Sequence, residues 1–126
     1  MTLAYVDSSA IIRAAFGEGG TPETERRLSG FESLVSANLL EAEVRSAFAR
    51  ERIPFPRDTL NQVEWIHPHR PLTREIETVL DAGYLRGADL WHLATALFVP
   101  REPEDVTFLT LDRRQRSVAE ALGFRV

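Results

Sequence analysis

Residues 3–9 read Leu3-Ala4-Tyr5-Val6-Asp7-Ser8-Ser9, and residues 107–112 read Thr107-Phe108-Leu109-Thr110-Leu111-Asp112. Each is a short apolar run that ends on an aspartate with a helix-like pattern beyond it. A run of this length and bulk is the signature of a buried strand. After the first run, Ser8-Ser9 offers an N-cap to a helix through Ala10, Ile11, Ile12, Ala14, Ala15 and Phe16. After the second, Asp112 opens a last helix that Gly123 closes, with Phe124-Arg125-Val126 as a terminal strand.

The segments between these two units continue the alternation. Gly17 to Gly20 breaks the first helix, and Thr21-Pro22 opens another that runs to about Phe31. Ser33 to Ser36 is a short strand, and Asn38 to Arg52 a strong helix stopped by Ile53-Pro54-Phe55-Pro56. A weaker helix is expected from about Asp58 to Trp65. His67 to Pro71 is a loop, and Thr73 caps a helix that reaches about Leu85. An apolar helix starts near Asp89 and ends before Pro100. Strands alternating with helices imply an α/β chain: three layers, α/β/α, around a mostly parallel sheet. No repeat, linker or low-complexity stretch interrupts it, so residues 1–126 are expected to form a single domain.

Composition narrows the function classes. The chain has 126 residues with 44% hydrophobic and 27% charged, ordinary for a globular domain of this length. It contains no cysteine, which excludes disulfides, thiolate zinc sites and cysteine nucleophiles. The N-terminus shows no basic segment leading into a long apolar run, and the longest apolar stretch, Leu93 to Val99, falls far short of a membrane span. A cytoplasmic location with no membrane partner is the expectation. A net charge of −4 argues against holding nucleic acid by bulk electrostatics, although a bound cation would invert that logic locally. All 15 basic residues are arginine. The lack of lysine counts against phosphatases of the haloacid-dehalogenase type, response-regulator receivers and P-loop NTPases, which share an aspartate after the first strand but rely on a lysine.

Four acids stand out. Taken singly, Asp7, Asp89 and Asp112 each read as a helix N-cap, and Asp112 has Gln115 at the spacing of a capping box. Glu43 is different. Leu39, Leu40, Val44, Ala47 and Phe48 form the apolar stripe of its helix, and Glu43 falls inside that stripe, whereas Glu41 projects toward its polar edge. A carboxylate facing a core needs a partner or a metal, so the alternatives are a buried pair with an arginine or a cation site. In an open parallel α/β sheet, ligands bind beyond the carboxyl ends of the strands. Asp7 and Asp112 lie at such ends, and Asp89 at a helix start is able to point into the same crevice. Converging carboxylates repel unless protonated or bridged by cations, and hard oxygen donors suit Mg²⁺ or Mn²⁺. His67 and His69 flank a proline in a loop and read as surface residues. His92, three residues after Asp89, reads as a hydrogen-bonding or structural residue rather than a catalyst.

The chain resembles PIN-domain ribonucleases, in particular VapC-type toxins of toxin–antitoxin pairs. The resemblance rests on Tyr5-Val6-Asp7-Ser8-Ser9-Ala10, on Ser36 followed by Glu43-Val44-Arg45-Ser46-Ala47, and on Ala88-Asp89-Leu90-Trp91-His92-Leu93-Ala94-Thr95-Ala96. It ends with Leu109-Thr110-Leu111-Asp112-Arg113-Arg114 and a closing Ala-Leu-Gly, in the family's order; Trp91 stands where the family usually has a smaller apolar residue. The resemblance implies a homodimeric Mg²⁺-dependent endoribonuclease that hydrolyses RNA phosphodiesters by metal-activated water. Asp7, Glu43, Asp89 and Asp112 would be its catalytic and metal-ligating residues, with a cognate antitoxin as protein partner. Ser8 and Thr110 are candidates for orienting the ligands, and Arg13 or Arg113 for meeting the substrate backbone. The alternative is a non-catalytic PIN-like module that binds RNA or protein.

Overall fold

The first strand shows how the sheet is covered. In β1 (Leu3–Val6) successive side chains alternate: Ala4 and Val6 pack on one face, Tyr5 on the other, and all three are fully buried. The computed structural model describes residues 2–16 and 21–126. After β1 come α1 (Ser8–Phe16), α2 (Thr21–Ser29), β2 (Ser33–Ala37), α3 (Leu39–Arg50), β3 (Val63–Ile66), α4 (Thr73–Ala82), α5 (Gly87–Phe98), β4 (Val106–Leu109) and α6 (Arg113–Ala121). The four strands lie in the order β3-β2-β1-β4, and every pairing is parallel.

Two apolar layers close the faces. Ile11 of α1 and Leu40, Val44 and Phe48 of α3 pack with Ala4, Val6, Leu34 and Leu109. Val79 of α4, Leu93 and Ala96 of α5, and Val118 and Ala119 of α6 pack with Tyr5, Val35, Ala37, Val106 and Phe108. This is the three-layer α/β/α architecture expected from the alternating pattern. Chain order runs outward from β1 to β2 and β3, then returns to place β4 on the other side of β1. The strand order therefore reverses between β1 and β4, and a crevice opens beyond their carboxyl ends.

Several local expectations are corrected. Residues 58–65 do not form a helix: turns lead into β3, whose Val63 to Ile66 pair with Leu34 to Ala37. Phe124 to Val126 is not a strand, since only Arg125 bridges Thr107. Ser8-Ser9 does not cap α1 from outside. Ser8 is its first residue, and the Asp7 carboxylate accepts the Ser9 N–H at 3.2 Å. Thr73 is likewise the first residue of α4 rather than its cap, and Asp89 sits in the first turn of α5. The helix-breaking run Gly17 to Gly20 lies outside the described residues.

The ends of α3 and α6 share one device. Ile53 N–H bonds the Phe48 carbonyl at 3.0 Å and Arg52 N–H bonds that of Ala49 at 3.1 Å. Phe124 N–H bonds the Ala119 carbonyl at 3.1 Å and Gly123 N–H that of Glu120 at 3.0 Å. Both are Schellman closures with a left-handed residue just past the helix. Gly123 fills that position at φ 100°, but in α3 it falls to Arg52 at φ 55°, so α3 ends at Arg50 rather than running through Arg52.

Candidate active site

The crevice beyond β1 and β4 is built around Asp7, which is 3% exposed. Oδ2 accepts from the Ser9 hydroxyl at 2.7 Å, from the Ser9 N–H, and from the Thr110 hydroxyl at 3.2 Å. The Ser9 oxygen in turn accepts the Leu111 N–H at 2.9 Å, so the turn after β4 is tied to the turn after β1. The serine expected to orient Asp7 was Ser8. Ser9 makes the contact instead, because the residue two past the aspartate can turn its hydroxyl back onto the carboxylate. Oδ1 of Asp7 is buried and has no hydrogen-bond partner among the described residues. An orphaned carboxylate oxygen is costly without a counter-charge.

Thr110 is buried and links two of the acids. Its single hydroxyl proton is shared between Asp7 and the Gln115 side-chain carbonyl, and the 2.7 Å distance favours Gln115. Its oxygen accepts the Asp112 N–H at 3.1 Å. Asp112 caps α6 by accepting the Gln115 N–H at 2.8 Å. Only that half of the expected capping box forms. The fully buried Gln115 side chain turns to Thr110 and donates to the Asp89 carbonyl at 3.4 Å.

Glu43 and Glu41 separate as their positions on α3 implied. Glu41 forms an exposed pair with Arg45 one turn on, at 2.8 Å. Glu43 faces the crevice with its side chain 25% exposed, and Oε1 lies 2.5 Å from His92 Nε2. The partner of this inward glutamate is thus a histidine rather than an arginine. His92 is fully buried, and its Nδ1 lies 2.7 Å from the Tyr5 hydroxyl, which accepts the Ala37 N–H at 3.0 Å. Burial above all pushes the Tyr5 hydroxyl far above its ordinary range, so it keeps its proton. The hydroxyl meets Nδ1 on one side of the ring, and on the other Nε2–H donates to the Glu43 carboxylate. Each ring nitrogen thus has one partner, and every group in the chain from Ala37 to Glu43 is engaged.

The charges converge on Asp89. Burial first, then the negative charges of Asp7, Asp112 and Glu43, raise its carboxyl above the usual carboxylate range, with His92 opposing. The four acids picked from the sequence therefore share one electrostatic environment. The supporting residues Tyr5, Ser9 and Gln115 were not picked out. Tyr5 looked like any strand aromatic, and the capping spacing of Gln115 hid its second role. Of the arginines suggested for substrate, Arg13 lines a cavity of about 340 Å³ beside Thr110, together with Arg27 and Arg116. Arg113 does not line it.

As a cation site, the donor set is the right one for a hard divalent ion: carboxylate oxygens, one of them buried without a partner. Among the described residues, however, no three Asp, Glu or His side chains already stand together at ligand spacing. No helix among them is long and apolar enough to cross a membrane. A family model described as PIN domain matches residues 4–121, and no curated protein matches the chain.

Proposed function

This chain belongs to the PIN domain family, whose members are generally nucleases, and from that premise we propose that it is a Mg²⁺-dependent endoribonuclease acting as the toxin of a toxin–antitoxin pair. The observation that carries the reading is the mutual repulsion at Asp89. Burial first, then the charges of Asp7, Asp112 and Glu43, raise its carboxyl, and one buried Asp7 oxygen has no hydrogen-bond partner among the described residues. A site that gathers four carboxylates around a single histidine at the switch point of a parallel sheet is suited to a cation.

Asp7, Glu43, Asp89 and Asp112 would hold the ion. When bound, Mg²⁺ would supply the Lewis acidity for hydrolysing a phosphodiester and offset charge on its oxygens. The chain's own contribution is orientation. Ser9 and Thr110 fix Asp7, the Gln115 N–H fixes Asp112, and His92 fixes Glu43. In the hydrolysis, water oxygen bonds to phosphorus and the bond to the ribose 3′ oxygen breaks, giving a 5′-phosphate and a 3′-hydroxyl. The protein would act as a cytoplasmic homodimer, silenced by a small antitoxin whose tail folds on binding. A basic side chain in that tail suits the acidic crevice and would compete with the cation for the same oxygens.

The spacing of the acids favours one second reading, a PIN-like module that binds RNA or protein without cutting it. Incubating the protein with RNA in Mg²⁺ and in EDTA separates the two. Cleavage that needs Mg²⁺ and disappears in Asp7→Asn is the expected result, with growth arrest by the wild type but not by this variant. RNA left intact by the wild type in Mg²⁺ and Mn²⁺, or Asp7→Asn as toxic as the wild type, would overturn the nuclease reading in favour of the binding module.

A further inference from the structure

Between α4 and α5, the linker that carries Tyr84 runs past the mouth of the crevice. Tyr84 is 68% exposed, the most exposed large hydrophobic side chain among the described residues. Burying an aromatic side chain would stabilise the fold, so folding does not account for Tyr84 standing in solvent. The linker around it is firmly held. Leu85 is buried, and Gly83 lies so close to α6 that a Cβ there would meet Val118 at 2.8 Å. Tyr84 is therefore a platform on a fixed backbone.

Tyr84 lines a cleft of about 330 Å³ with Arg86, Arg114, Asp89 and Asp112. Two of the four candidate ligands thus share one hollow with an exposed aromatic ring and two guanidinium groups. Arg86 and Arg114 are both exposed, and neither forms an ion pair among the described residues, even with the two aspartates of the same cleft. Four carboxylates repel a phosphodiester, and unpaired guanidiniums beside them are suited to drawing one in. An aromatic face next to them suits a nucleobase that has left its stack.

We propose that this cleft is a nucleotide subsite: an unpaired base of the RNA stacks on Tyr84, and the adjoining phosphates meet Arg86 and Arg114. The proposal rests on the nuclease reading for its placement beside the acids. Ring and guanidiniums together set which nucleotide lies next to the scissile bond, while the acids act on the bond itself.

Fluorescence anisotropy with a labelled single-stranded oligoribonucleotide in EDTA tests it, because binding is then read without cleavage. Tyr84→Ala should weaken binding about tenfold or more, while Tyr84→Phe stays within about twofold, since stacking uses the ring and not the hydroxyl. Arg86→Ala and Arg114→Ala should each make the salt dependence shallower by about 0.7 in log–log slope. Binding unchanged in Tyr84→Ala overturns the subsite, as does Tyr84→Ala changing the sedimentation coefficient while RNA binding holds, which would make the ring a protein-contact residue. Mg²⁺-dependent cleavage of the same RNA is measured alongside. If the wild type cuts but Tyr84→Ala binds normally, only the subsite falls. If binding depends on Tyr84 but nothing is cut, the nuclease reading falls and the subsite stands. A wild type that binds no RNA overturns the subsite.

Discussion

Replacing His92 with leucine keeps a side chain of similar bulk in the core but removes both ring nitrogens. The Tyr5 hydroxyl, fully buried and 2.7 Å from Nδ1, then loses its ring partner. An orphaned buried donor costs about 1–3 kcal/mol. The loss at Glu43 is smaller than for a fully buried partner, since its side chain is 25% exposed and water can replace the imidazole. Together these give about 2–3 kcal/mol. For 126 residues the usual unfolding entropy makes 1 kcal/mol about 4 °C, so Tm should fall by about 10 °C. Thermal and urea denaturation followed by circular dichroism read this directly, and a double-mutant cycle assigns it. Tyr5→Phe alone strands the Ala37 N–H and leaves Nδ1 without its partner. In the His92→Leu background it also removes the orphaned hydroxyl, and so it should cost about 1 kcal/mol less than it does alone. Costs that add to within about 0.3 kcal/mol would refute the hydrogen-bonded chain from Tyr5 to His92.

Glu43→Gln should abolish Mg²⁺-dependent cleavage while Glu41→Gln leaves most of it, because Glu41 is engaged on the surface with Arg45; the opposite ranking in a gel-based RNA assay would show that the wrong glutamate faces the substrate. Asp89 has a folded-state pKa above its unfolded value, so the stability tied to its proton is present at low pH and is lost as pH rises through the raised value. Asp89→Asn should therefore raise the Tm of the metal-free protein at neutral pH and make no difference below the ordinary carboxylate range, with a weaker Mg²⁺-induced shift; an unchanged neutral-pH Tm would contradict this. Arg52→Gly should stabilise by about 0.5–1 kcal/mol and Gly123→Ala destabilise by about 1 kcal/mol, since each exchanges a side chain at a left-handed helix closure; urea midpoints moving in the same direction would count against the two closures being alike.

The strands legible in the sequence were those whose burial is local to their own pattern. Leu3 to Val6 carries unbroken apolar bulk and is β1 residue for residue, while the strand read at Thr107 to Leu111 lies at Val106–Leu109. β3 was not legible. Leu60 and Val63 stand three apart with Ile66 three further on, the spacing of a helical face, and Leu60 and Val63 do pack into the core. What makes Val63 to Ile66 a strand is the exposed edge of β2, from Leu34 to Ala37, reached across the whole of α3. That pairing is tertiary and overrides a weak local pattern. At residues 124–126 the opposite happened: Phe124 is buried against Phe108 as expected of a strand residue, but the pairing amounts to a single bridge between Thr107 and Arg125.

The candidate site divides along the same line. Asp7, Asp89 and Asp112 belong to the first turns of helices, so each is explained locally as a cap or a first-turn acid, and only the return of β4 to the side of β1 brings them together. Glu43 was legible alone because a carboxylate inside an apolar stripe has no local explanation. The supports of these acids could not be found by spacing. Tyr5 and His92 are 87 residues apart, and Ser9 and Thr110 are 101 apart. Their side chains are types that a strand, a helix start or a core would use for other reasons. The acids also carry their charge wherever the chain places them, while the supports matter only through contact. Hence the sequence marks charge before it marks orientation, and the residues that aim each carboxylate emerge only once the strands are paired.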